Sequence, residues 1–176
     1  MAEELYTWVP FYTELANKLL PYKNDRAALI DKLQAMYESI DTKLPKLDDG
    51  GVPNDIDPFT IFGLFNKGIS SQNRRKIVAA LADVFCITAE LPNDFAGTPL
   101  LNNLNATFYA FIGDSRRGES DIDNLWDLFE AELALADADN PENRNAFAAA
   151  FDKTVGQFGL GWKLTMGLYW ARPLAF

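Results

Sequence analysis

Apolar residues recur along this chain at three- and four-residue spacing, in blocks separated by polar or Gly/Pro-rich stretches, which is the pattern of a helical domain. The block from Ile56 to Phe85 is the most informative. Asp57 stands where an N-cap is needed, and Pro58 at the first helical position loses nothing by lacking an N–H. Phe59, Ile61, Phe62, Leu64 and Phe65 then follow as a short, almost wholly apolar helix. A helix apolar on all sides is expected to be buried. Lys67-Gly68 ends it, Ser70 or Ser71 caps a second helix, and Ile77, Leu81, Val84 and Phe85 give that helix one face to lean on the first.

Trp8 to Leu20 predicts an aromatic-rich helix with Pro10 near its start and Pro21 closing it. Asn24 is expected to cap a longer helix running to Ile40, with Leu29, Ile30, Leu33, Met36 and Tyr37 on its apolar face. Asp41 to Asp55 carries Pro45, Gly50, Gly51 and Pro53 and reads as a loosely held surface loop, open to proteolysis between Asp48 and Asn54. Beyond a Pro/Gly-containing loop, Leu101 to Phe111 is expected to be helical. Asp121 or Asp123 should cap a helix from Asn124 to Ala138, with Leu125, Leu128, Phe129, Leu133 and Leu135 inward, and Asn140-Pro141 should open one reaching about Gln157. Trp162 to Trp170 predicts a helix; a strand is the alternative, because Leu164, Met166, Leu168 and Trp170 also alternate. The expected fold is all-α, a compact single-domain bundle over residues 1–176 with about seven or eight helices and little or no sheet.

Composition narrows the chemistry. A chain of 176 residues is the size of one domain. It contains no histidine, which removes Ser-His and Cys-His nucleophile pairs, the imidazole base, the zinc deaminase signature and HNH-type nuclease sites. Cys86 is the single cysteine, so neither an intrachain disulfide nor a thiolate zinc site is possible, and it reads as a small core residue. Residues 1–30 show no signal-peptide pattern, and no apolar run approaches the ~18 residues of a membrane span. A cytoplasmic protein with no membrane partner is expected.

The net charge of −9 is unevenly placed. From Gly113 to Asp152 there are eleven acids against Arg116, Arg117 and Arg144, a local balance of −8. Pro58 to Ala82 has no acid and carries Lys67, Arg74, Arg75 and Lys76, while the stretch after Asp152 has no acid and carries Lys153, Lys163 and Arg172. The glycines from Gly156 to Gly161 look superficially like a phosphate loop, but Trp162 and Leu164 put Lys163 and Thr165 out of register. Asp55 with Asp57, and Asp121 with Asp123, suit helix capping or a hard cation; no third ligand follows, so no metal and no cofactor is expected. Arg74, Arg75 and Lys76 oppose the dipole of the helix they open. Ion pairing with Asp55, Asp57 or the acidic segment accounts for them, or phosphate contact by a helix-turn-helix-like element, or an acidic protein partner. The candidate nucleic-acid-binding residues are Lys67, Arg74, Arg75, Lys76, Lys163 and Arg172.

Five segments taken together resemble the N-terminal region of McrB-like proteins, the AAA+ GTPase subunits of modification-dependent restriction systems. They are WVPFY from Trp8, DIDPFTIFGLFNKGIS from Asp55, PLLNNLNATFYAF from Pro99, DIDNLWDLFEAEL from Asp121 and WKLTMGLYWARP from Trp162. The resemblance covers almost the whole chain. It implies a non-catalytic recognition domain that binds DNA, possibly modified, for an AAA+ motor that follows in the longer chain and, indirectly, for a nuclease subunit. The rival expectation is a protein-interaction module that ties the motor to a partner or a phage-encoded trigger. The apolar, uncapped end at Leu174-Ala175-Phe176 reads as a cut within such a chain.

Overall fold

Seven α-helices build the fold in the computed structural model, which describes residues 6–102 and 105–175. In chain order they are α1 (Val9–Leu19), α2 (Arg26–Ser39), α3 (Pro58–Gly63), α4 (Ser71–Phe85), α5 (Asp121–Asp137), α6 (Pro141–Thr154) and α7 (Lys163–Ala171). No sheet forms among the described residues; Asp48 with Gly51 and Lys67 with Leu101 make isolated bridges. The fold is all-α. The last helix is set by four-residue spacing, with Leu164, Leu168 and Trp170 buried and Met166 only half-buried, so the apparent alternation there does not produce a strand.

All six residues of α3 are buried, and the other elements pack around it. Asp57 caps it, accepting from Thr60 N at 3.0 Å, and Pro58 opens it. Rings reach α3 from every side: Tyr12 of α1 lies 5.8 Å from Phe62 and 5.4 Å from Phe65, while Phe59 lies 5.6 Å from Phe108 and 5.5 Å from Phe129 of α5. Helix α7 closes the other side through Gly167, where an added Cβ would sit 2.8 Å from the Phe59 ring and 2.9 Å from that of Phe108. Three buried indoles tie loops to this centre. Trp8 donates to Ala96 O, Trp126 to Ile56 O and Trp170 to Pro99 O, at 2.8, 2.8 and 3.0 Å.

Ser70 caps α4 and Asn140 caps α6, each accepting from the backbone N–H three residues on. Asp25, not Asn24, caps α2, because Leu20–Asn24 is a 3-10 turn that Pro21 opens instead of ending α1. Helix α5 starts at Asp121, three residues before the expected Asn124, with both aspartates inside its first turn. Asp121 accepts from Gly118 N, and Asp123 pairs with Arg26, whose other nitrogen holds Asp55 at 2.9 Å. Of the four acids only Asp57 caps a helix; neither Asp121 nor Asp123 caps α5 as expected, and among the described residues no group of three or more Asp, Glu, Cys or His is placed to hold a metal.

Four further expectations are corrected. Residues 105–111 are not helical. Asn105 accepts from both Thr107 N and Thr107 Oγ1, a local alternative to helical bonding, and Phe108 N donates to Thr60 Oγ1 on α3. This strap passes so close to α3 that a Cβ on Gly63 would meet the Ala106 carbonyl oxygen at 2.6 Å. Asn103 and Leu104 of that expected helix lie outside the described residues. The Asp41–Asp55 loop is held down more firmly than its composition suggests: Leu47 and Asp48 are buried, and Asp48 accepts from Ile112 N at 2.7 Å and pairs with Arg117 at 3.0 Å. Cys86 is exposed, because it takes the left-handed position that ends α4, with φ 51°. Finally, Leu135 is only half-buried, and Glu132 takes the fully buried place on α5.

Candidate functional site

The six predicted cationic residues do not form one phosphate-binding face. Arg74 is buried on the α3 side of α4, where Nε donates to Phe65 O at 2.7 Å and Nη2 to Lys67 O at 3.1 Å, with the guanidinium 5.2 Å from the Phe95 ring. It supplies donors for the chain leaving α3, carbonyls that no helical N–H reaches, so neither an acidic partner nor phosphate is needed to explain it. Lys67 is buried. Arg172 is also buried, with one nitrogen on Ala171 O and another 2.6 Å from Asn17 Oδ1 and 3.6 Å from Asp137. Arg75 and Lys76 stay exposed on α4, donating to Asn93 O and Thr42 Oγ1. Lys163 lies elsewhere, at the start of α7, and donates to Thr107 O at 3.2 Å. Arg74→Ala is therefore expected to destabilise the fold by about 2 to 3 kcal/mol, the range for bonds to a charged donor whose loss leaves the Phe65 carbonyl unmet, while Lys67 O keeps its bond from Ile69 N. Arg75→Ala and Lys76→Ala should unfold with the parent in denaturant titration; equal behaviour of all three would contradict this placement.

A concavity of about 760 Å³ opens around Lys163. One wall is the strap carrying Asn105, Thr107 and Tyr109, another the turn from Gly113 to Arg116, and the third the Gly-rich segment that joins α6 to α7. The turn is self-bracing. Asp114 accepts from Arg116 N at 3.0 Å and binds the Arg116 guanidinium through both oxygens, at 2.9 and 2.7 Å. This pair holds the Asp114 carboxyl down to about 2. The same guanidinium lies 3.7 Å from the centroid of the Phe158 ring, so the pair and the ring form one stacked rim. Phe158 reaches it because Gly159 (φ 84°) and Gly161 (φ 45°) take conformations that L side chains rarely adopt, and the ring remains 43% exposed.

Beneath the strap runs a buried polar chain. The Thr60 hydroxyl donates to Asp57 and accepts from Phe108 N, and burial pushes the Asp57 carboxyl up to about 6 against its hydrogen bonds. Burial holds the Lys163 ammonium below its usual pKa, with the Asp57 carboxyl pulling the other way. Asn105 turns its oxygen to Thr107, which leaves its amide nitrogen for the cleft. The lining thus offers a flat stacking face, cationic and amide donors, and the Asp49 and Asp114 carboxylates as acceptors. Such a set suits binding a planar polar group.

Sequence reasoning singled out Lys163 and the glycines 156, 159 and 161 but not Arg116 or Phe158. The signal available was the glycine spacing itself, which marks a segment shaped to present Phe158 where a phosphate loop would be out of register.

No curated protein and no solved structure matches this chain. A family model does match, over residues 8–176, and the chain belongs to that family, the domain of unknown function DUF8425.

Proposed function

We propose that the domain is a non-catalytic recognition module, serving DNA binding in a McrB-like restriction system, and that its ligand-reading surface is the Arg116–Phe158–Lys163 cleft in place of the cationic turn of α4. The observation that carries this reading is the rim itself: an exposed ring stacked on a guanidinium at the mouth of a cleft of about 760 Å³, within the ~300–1,000 Å³ usual for ligand sites. Every nucleobase has a flat face that stacks on such a ring, and contacts of this kind contribute ~1–3 kcal/mol per base. The overall acidity and the burial of Lys67, Arg74 and Arg172 leave few cations for phosphates. Binding should therefore depend weakly on salt, with a slope of log affinity against log salt of about −1 to −2, corresponding to one or two neutralised phosphates. Titration of the domain with duplexes carrying modified and unmodified bases, over a salt series, tests this. Binding with a shallow slope supports it; absence of binding to every duplex, or a steep slope, contradicts it.

A second reading has its own support. Ile112, Val155, Phe158 and Trp162 are large, apolar and exposed, Trp162 by 53%, and they lie in or next to the cleft-lining segments. A row of this kind also suits a protein partner, whose binding would be indifferent to salt.

A further inference from the structure

We infer that Asp57 is a positioning residue for the cleft wall: it holds the strap at Phe108 through the Thr60 hydroxyl, so that proton uptake in the core is coupled to the site. This deepens the reading of the cleft as the recognition surface and rests on it. Asp57 and Thr60 have no exposed surface. The Thr60 hydroxyl has one proton, which it gives to Asp57, and its lone pairs are left to accept from Phe108 N at 3.1 Å. Phe108 is flanked by Thr107 and Tyr109, which both line the cleft, and Thr107 O accepts from Lys163 of α7 at 3.2 Å. The charge on Asp57 decides how this relay stands. An ionised carboxylate is a strong acceptor and draws the hydroxyl proton toward itself. A protonated carboxyl is a weaker acceptor and can itself donate to Thr60 Oγ1, in competition with Phe108 N–H, so the strap bond loosens.

Burial pushes the Asp57 carboxyl up to about 6, against hydrogen bonds from Thr60, Phe59 N and Phe108 N. Among the described residues, Lys163 of α7 and Tyr109 of the strap are the titratable groups that feel its charge. Asp55, two residues before it, is held by Arg26 at 2.9 Å, and α1 and α5 meet α3 through the rings of Tyr12 and Phe129. The far end of the strap has other partners: Arg117 donates to Ala110 O, and Asp48 accepts from Ile112 N. The chain has no histidine, and among the described residues Glu132 of α5 is the other carboxyl that burial raises.

The test is an NMR pH titration of the ligand-free domain in the Glu132→Gln background, following the Asp57 carboxyl carbon and the backbone amides. Asp57 and the amides of Thr107, Phe108 and Lys163 should titrate together with a midpoint of about 6, while that of Ile112 stays fixed across the same window. Thr60→Val keeps the shape without the hydroxyl and should abolish the titration of the strap amides while the Asp57 carboxyl still titrates. Thr60→Ser keeps the hydroxyl and should retain both. Strap amides that do not titrate, or that titrate as fully in Thr60→Val, would overturn the relay and leave Asp57 a buried helix cap. If Thr60→Val does not fold, the strap titration must persist in Thr60→Ser and vanish in Asp57→Asn; any other result overturns the proposal. No ligand enters the titration, so an absence of DNA binding counts against the role of the cleft and a flat strap counts against the relay, and the two failures are read separately.

Discussion

Phe62→Ala is expected to lower stability by about 3 to 5 kcal/mol, the usual cost of emptying a fully buried phenylalanine site. The reason is position. Phe62 has no exposed surface, sits near the end of α3, and packs against Tyr12 of α1 and Phe65 of the turn that follows, so its neighbours come from different elements and cannot close the void together. For a chain of this length the melting temperature should fall by about 6 to 20 °C. A variant melting with the parent would show that α3 is not the centre of the fold.

Glu132→Gln should do the opposite. Glu132 is fully buried on α5, and neither of its carboxylate oxygens has a hydrogen-bond partner. Burial raises its pKa well above the ordinary carboxyl value, with the Arg172 guanidinium pulling the other way. The folded chain then keeps a proton that the unfolded chain releases, so stability falls as pH rises above the ordinary carboxyl pKa, until the folded pKa is reached. Each pH unit in that window costs about 1.4 kcal/mol. Glutamine keeps the shape and removes the linkage. Denaturant titrations should show the variant more stable than the parent at pH 7 and equal to it near pH 4. If the variant is instead less stable by about 3 to 5 kcal/mol at pH 7, Glu132 is ionised and paired with Arg172, and burial does not dominate.

The helices were legible where local chemistry and burial agree. Asp57-Pro58, Ser70 and Asn140-Pro141 are caps whose bonds are made within three residues, and α3, α4 and α6 begin at them as expected. Legibility failed where a distant element decides. The apolar residues of 105–111 have helical content, but Thr60 and Gly63 of α3 draw the strap flat against the core. Arg74 read as a surface charge because its partners are carbonyls, which leave no trace in charge patterning. The cleft depends on Arg116 meeting Phe158 across the end of α6, a contact that no spacing announces. Resemblance to restriction motors pointed to DNA but not to a surface.

On the proposed reading, recognition resides in the cleft. The direct measurement is DNA affinity at one fixed salt concentration for two double variants, Arg116→Ala/Phe158→Ala and Arg75→Ala/Lys76→Ala, beside the parent. Loss of one stacked base, ~1–3 kcal/mol, predicts about a 5- to 150-fold weaker affinity for the first pair and little change for the second. A loss confined to Arg75→Ala/Lys76→Ala would contradict the claim and return DNA binding to the turn that opens α4.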